Sequence, residues 1–209
     1  MSELAILAAL ERARVLPVVA IDDAEIVGEL CAALLEGGIS CIEITFRTEA
    51  AAGAIAAAAQ VDGMIVGAGT VLSPEQARAA SAAGAAFAVA PGSDDDVVAT
   101  CDQIGLPFFP GIATPSELGR ALRLGRAAVK VFPAAQLGGP GFLRAVSATF
   151  PQAGFIPTGG IDEGSLASYL AVPQVIACGG SWIADRTLLG ERRFDEVTRR
   201  ARAAVEIAA

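Results

Sequence analysis

Four short segments hold most of the residues in this chain that could do chemistry: AAVKVFPA at 127–134, CIEITFRTE at 41–49, PTGGI at 157–161 and CGGSW at 178–182. In an extended AAVKVFPA, alternation puts Ala128, Lys130 and Phe132 on one face and Val129 and Val131 on the other. A lysine in mid-strand cannot easily carry its charge out to solvent. Turned into a protein interior beside a guanidinium such as Arg47, it is a primary amine suited to nucleophilic attack on a carbonyl. The chain contains fourteen arginines and one lysine, Lys130. Arginine keeps its proton and cannot form an imine, so a position that retains Lys in an Arg-biased chain points to covalent amine chemistry. The plain structural alternative is a solitary lysine left by chance, or one paired with Glu43.

In CIEITFRTE, Ile42, Ile44 and Phe46 share one face and Glu43, Thr45 and Arg47 the other. An acid and a guanidinium near one strand end could be a structural ion pair inside a barrel. The functional reading is a general base, Glu43, beside Arg47, whose planar fork suits the carboxylate of a 2-oxo acid. The glycine pairs Gly159–Gly160 and Gly179–Gly180 follow apolar runs, where exposed backbone N–H groups can bind phosphate. A double glycine alone also serves any tight turn.

The elements that must position these residues are legible as repeated βα units. Strands are expected at 15–21, 41–46, 64–67, 86–90, 107–110, 127–132, 154–157 and 174–178, separated by Ala/Leu-rich helical segments. Helix starts are marked at Ser73-Pro74-Glu75-Gln76 and Thr114-Pro115-Ser116-Glu117, each a hydroxyl cap followed by Pro. Eight economical units, with no Rossmann-type glycine fingerprint after the first strand, predict one (β/α)8 barrel domain over 1–209 rather than a doubly wound open sheet. Its active site is then expected at the carboxyl ends of the strands.

Composition narrows the function classes. A net charge of −8 leaves no broad basic surface for nucleic acid, so any phosphate must be held locally. No apolar run reaches the length that spans a bilayer, and the N-terminus lacks the order of a signal peptide, so a soluble cytoplasmic protein without membrane partners is expected. With no histidine, triads and metal sites that need an imidazole are excluded. Cys31, Cys41, Cys101 and Cys178 form no CxxC pair and read as buried free thiols.

Taken in order, EITFRTE, VGAGTVL, APG, PFFPGIATPSE, KVFPA, PTGGI and GGSW resemble the 2-keto-3-deoxy-6-phosphogluconate (KDPG) and 2-keto-4-hydroxyglutarate (KHG) aldolase family, from about Val15 to the last helix. The resemblance implies a class I (Schiff-base) aldolase of the Entner–Doudoroff pathway that needs no metal or other cofactor. It implies reversible cleavage of a phosphorylated 2-keto-3-deoxy sugar acid to pyruvate and glyceraldehyde 3-phosphate, and a homotrimer. It implies that Lys130 forms the imine, Glu43 transfers protons, and Arg47 and Thr70 bind the pyruvyl carboxylate. Pro91, Phe132 and Thr158 then line the pocket, while Gly159, Gly160, Gly180 and Ser181 hold the phosphate. The chain departs from the family's KxFPAE pattern by carrying Ala135 in place of the acid. Thr158 in PTGG resembles the gluconate branch more than the galactonate branch. Rival readings are an aldolase for the galactonate epimer, a sugar-phosphate isomerase or epimerase on the same barrel, and a barrel retained only for binding.

Overall fold

Short β-branched runs followed by alanine-rich segments fold as strand–helix units because the former fit a pleated, doubly covered surface and the latter lose little side-chain entropy in a helix. The computed structural model describes residues 1–209. Its strands are β1 (Val15–Val19), β2 (Cys41–Thr45), β3 (Ile65–Gly69), β4 (Phe87–Val89), β5 (Phe108–Phe109), β6 (Gly111–Ile112), β7 (Ala128–Val131), β8 (Gly154–Pro157) and β9 (Cys178–Gly180). The helices are α1 (Glu3–Ala13), α2 (Val27–Glu36), α3 (Ala51–Ala58), α4 (Pro74–Ala82), α5 (Asp95–Ile104), α6 (Pro115–Arg123), α7 (Gly139–Thr149), α8 (Glu163–Leu170), α9 (Arg186–Gly190) and α10 (Phe194–Ala208).

The result is an α/β fold with a curled parallel sheet. One six-stranded sheet runs β5-β4-β3-β2-β1-β9 and a three-stranded sheet runs β6-β7-β8. This differs from the continuous eight-stranded ladder expected above. The expected strand at 107–110 is cut into β5 and β6 by Pro110, which has no N–H to give a ladder. The strand expected at 174–178 changes partner along its length. Its first part meets β8, where Phe155 N–H donates to Gln174 O and Ile176 N–H to Phe155 O, while Cys178–Gly180 pairs with β1. Isolated bridges Phe155–Val175 and Thr158–Gly179 join the sheets at that seam. β3 also runs to Gly69, two residues beyond the expected end.

All residues of β1, β2, β4 and β7 are buried, as strands covered on both faces must be. Phe87, Phe108, Phe109 and Phe155 are fully buried, each gaining about 1.5–3 kcal/mol from leaving water. Gly67 makes this packing possible, since a Cβ there would lie 2.2 Å from the Phe87 ring.

Both marked helix starts are used. Ser73 Oγ accepts from Gln76 N–H at the head of α4, and Thr114 with Glu117 forms a reciprocal capping box at the head of α6. Helix α1, ahead of the first strand, has no counterpart in the expected units. It ends at Arg14, whose guanidinium donates to Val175 O at 2.9 Å and Leu170 O at 3.0 Å. All four cysteines are free and buried, and burial pushes the thiols of Cys41 and Cys178 up to about 12. No helix is long and apolar enough to cross a membrane.

Candidate active site

β2 and β7 lie on different sheets and face each other across the interior. Glu43 in β2 is paired beside Val18 of β1 and Gly67 of β3, and Lys130 in β7 beside Gly111 of β6 and Ile156 of β8. Both side chains point inward, and Lys130 Nζ donates to Glu43 Oε1 at 2.9 Å. The two side chains are 5% and 1% exposed, so the pair is held away from bulk water. Glu43 therefore pairs with Lys130 and not with Arg47, the partner that the strand pattern alone suggested. The ammonium of Lys130 also lies 6.0 Å from the centre of the Phe132 ring.

The other carboxylate oxygen, Glu43 Oε2, is buried with no hydrogen-bond partner. Leaving a buried acceptor unpaired costs about 1–3 kcal/mol, more for a charged group, so such an atom calls for a functional account. The carboxylate reaches this position because β3 has Gly69 beneath it. A Cβ on Gly69 would stand 2.2 Å from Oε1 and 2.8 Å from the carboxyl carbon.

Around this pair is a cavity of about 270 Å³ at the carboxyl ends of the strands. Every residue proposed from the sequence lines it: Glu43, Arg47, Thr70, Pro91, Lys130, Phe132, Thr158, Gly159, Gly160, Gly180 and Ser181. Arg47 lies just past the end of β2 and is exposed at the cavity mouth instead of sharing the interior with Glu43. Its Nε donates to Thr45 Oγ1 at 2.9 Å. Thr70, just after β3, has φ 57°, a left-handed conformation that costs a β-branched residue of order 1–3 kcal/mol. Hydrogen bonds on both sides hold it there, Phe46 N–H to Gly69 O and Val71 N–H to Val89 O. Pro91 is set by close backbone approach, since a Cβ on Gly111 would meet its carbonyl carbon at 2.1 Å.

At the opposite end the lining is mostly backbone. Gly159 and Gly160 have φ 99° and 74°, a left-handed pair that other residues rarely adopt. The carbonyls of Thr158 and Gly159 accept from Ala134 N–H and Ala135 N–H. In a trans peptide N–H and C=O point opposite ways, so those bonds turn the N–H groups of Gly159 and Gly160 away from 134–135. These two amides, with those of Ile161 and Ser181, donate to no acceptor in the protein. Ala135, the position that departs from the family pattern, thus supports the turn through its backbone.

The two glycines that end β9 also make room for side chains. The space a Cβ would take at Gly180 holds the Trp182 ring, 1.6 Å away, and that at Gly179 holds Thr158 Oγ1, 2.3 Å away. They clear room for neighbouring side chains, and Ser181 stands exposed at the rim. Sequence reasoning gave no role to Val18, Thr45 and Ile161, which also line the cavity, as does Gly179. Thr45 had a signal, its place on the Glu43 face of β2, whereas an apolar residue such as Val18 had none.

The arrangement joins a buried amine, a carboxylate able to take its proton, a free guanidinium fork and a cluster of unpaired amides. The sequence model for KDPG and KHG aldolase matches residues 6–200. The chain is 48% identical over 191 residues to the 2-dehydro-3-deoxy-phosphogluconate aldolase of Treponema pallidum, covering 91% of each chain. It is 40% identical over 193 residues to the KHG/KDPG aldolase of Escherichia coli, covering 92% of this chain and 91% of that one. Among solved structures it superimposes with a TM-score of 0.91 and 36% identity on the KDPG aldolase of Legionella pneumophila, determined with pyruvate captured as a covalent carbinolamine intermediate, covering 95% of this chain and 97% of that one. A chain with this ordered set of motifs, matched along almost its whole length, belongs to the KDPG and KHG aldolase family.

Proposed function

We propose that this chain reversibly cleaves 2-keto-3-deoxy-6-phosphogluconate to pyruvate and glyceraldehyde 3-phosphate through an imine on Lys130. The observation that carries the reading is the buried contact between Lys130 Nζ and Glu43 Oε1 beside an unpartnered Glu43 Oε2. The amine, its proton passed to Glu43, attacks the C2 carbonyl of the substrate to give a carbinolamine, and loss of water gives the protonated imine. The imine draws the electron pair of the C3–C4 bond as the C4 hydroxyl proton leaves. Glyceraldehyde 3-phosphate departs and an enamine remains. Protonation at C3 and hydrolysis then release pyruvate and the free amine. Glu43 is the group placed to carry these protons, and the imine serves as the electron sink, so the reaction calls on no cofactor.

In this reading Arg47 and Thr70 hold the pyruvyl carboxylate, Pro91, Phe132 and Thr158 shape the middle of the pocket, and Gly159, Gly160, Gly180 and Ser181 bind phosphate. Unpaired amides suit that last role in a chain of net charge −8, which has no basic patch to offer. 2-Keto-4-hydroxyglutarate, which shares the pyruvyl end but carries no phosphate, is a second substrate. Thr158, buried and lining the cavity, favours the gluconate over the galactonate epimer. The strands act as a closed (β/α)8 barrel forming one domain, and the enzyme works as a cytoplasmic homotrimer with no nucleic-acid or membrane partner.

Borohydride added with pyruvate tests the mechanism. One reduced adduct per chain is expected, on the peptide carrying Lys130, and because Lys130 is the only lysine, the only competing site is the N-terminal amine. Turnover without any trapped adduct would overturn the imine. Comparing kcat/KM for the gluconate and galactonate epimers tests the assignment to Thr158.

A further inference from the structure

The guanidinium of Arg47 is exposed at the cavity mouth, forms no ion pair, and makes a single hydrogen bond within the protein, from Nε to Thr45 Oγ1 at 2.9 Å. A long, exposed side chain with no other anchor has many rotamers open to it. Thr45 is the last residue of β2 and is 1% exposed. Its hydroxyl carries one proton, and that proton is committed to Val19 O, at the end of β1, at 2.8 Å. Towards Arg47 the oxygen can therefore only accept. The contact has a fixed direction and is tied to two neighbouring strands. With Nε engaged, the edge of the guanidinium left for a bidentate partner is the Nη1/Nη2 pair.

We propose that Thr45 is the positioning residue for the carboxylate end of the site, holding Arg47 by Nε so that its Nη1/Nη2 edge is presented to the substrate carboxylate. The proposal rests on the aldolase reading above and adds to it a positioning role for a cavity-lining residue that takes no part in the bond-making steps. It also accounts for a buried hydroxyl on the interior face of β2 that the bond-making steps do not use.

The test compares Thr45→Val, which keeps shape and loses the hydroxyl, with Thr45→Ser, which keeps the hydroxyl. In Thr45→Val, the pyruvate concentration for half-maximal borohydride trapping and the KM for KDPG should each rise roughly tenfold, as for loss of a hydrogen bond to a charged group. Its kcat should stay within about twofold of wild type, because the amine and its base are untouched. Thr45→Ser should restore both constants. Unchanged constants in Thr45→Val, or an equal loss in Thr45→Ser, would overturn the proposal. If Thr45→Val does not fold, proton exchange at Arg47 Nε–H in the wild-type enzyme decides: slow exchange supports the anchor, and exchange as fast as in a free arginine removes it. Failure of the wild type to trap pyruvate would count against the aldolase reading instead, and the exchange measurement would still test the contact.

Discussion

The two ends of the cavity are built from different materials. The end around Lys130 and Glu43 is made of side chains carried on fully buried strands, with a 2.9 Å contact spanning the interior. The end around Gly159, Gly160 and Ser181 is mostly backbone, its amides aimed by hydrogen bonds to the carbonyls behind them. A side-chain site places a particular functional group and can be silenced by one substitution. A backbone site binds charge without carrying any, and its atoms cannot be deleted, so it must be tested through strain, crowding or added charge. The division suits a reaction in which one half of the substrate is transformed and the other is only held.

The comparison breaks most readily at Lys130. Lys130→Arg keeps a cation beside Glu43 but supplies no nucleophile, so pyruvate trapping and aldol cleavage should both vanish while circular dichroism reports a folded chain. Substantial residual cleavage would end the imine mechanism. Replacement by an apolar residue is a poorer test, because an unpaired buried carboxylate costs about 3–5 kcal/mol of stability.

Glu43→Gln keeps the shape and removes the base, and should lower kcat by roughly 10²–10⁴-fold on phosphorylated and unphosphorylated substrates alike. Near-normal kcat would assign Glu43 to a purely structural pair. Gly69→Ala asks whether the backbone also serves the side-chain end. Its Cβ would fall 2.2 Å from Glu43 Oε1, and a carboxylate displaced by about 1 Å should cost up to roughly 10²-fold in kcat with the protein still folded. Unaltered kcat would mean the carboxylate has slack that the packing does not suggest.

At the backbone end, Ser181→Asp places a negative charge at the rim. It should raise KM for KDPG roughly tenfold while leaving KM for 2-keto-4-hydroxyglutarate unchanged. Equal losses on both substrates would move the phosphate site elsewhere. Gly180→Val is unsuitable here, because its Cβ would strike the Trp182 ring. The smallest effect is expected from the thiols. With Cys41 and Cys178 pushed up to about 12 by burial, and Cys31 and Cys101 to about 11, almost no thiolate exists at pH 8. Iodoacetamide should then leave activity at both ends intact, as followed by kcat and by intact mass.

Much of this was legible in the primary structure because it depends on local patterning. Period-two alternation through AVKV and CIEIT put Lys130 and Glu43 on interior faces, and the Ser-Pro and Thr-Pro signatures located the starts of α4 and α6. The motif order identified the lining of the cavity even where single residues such as Pro91 carry no chemical signal. Other features depend on which strands meet. Alternation assigned Arg47 to the face of Glu43, but β2 ends at Thr45, so Arg47 leaves the strand and stands at the mouth. The break at Pro110 is local, since proline has no N–H for the ladder, but the change of partner along 174–180 depends on which strands lie alongside, which no single segment encodes.

By itself, then, the sequence determined the set of chemical groups: one amine in an arginine-rich chain, no imidazole, interior-facing acid and lysine positions, and glycine pairs at the ends of apolar runs. Only the tertiary structure decided which groups face each other. It brought Glu43 onto Lys130 across 87 positions of sequence, laid the carboxylate over Gly69, and gave the space beside Gly180 to Trp182. The reason is geometric: periodicity fixes the direction of a side chain relative to its own strand, whereas the partner it meets depends on how the sheet curls and where other strands leave room.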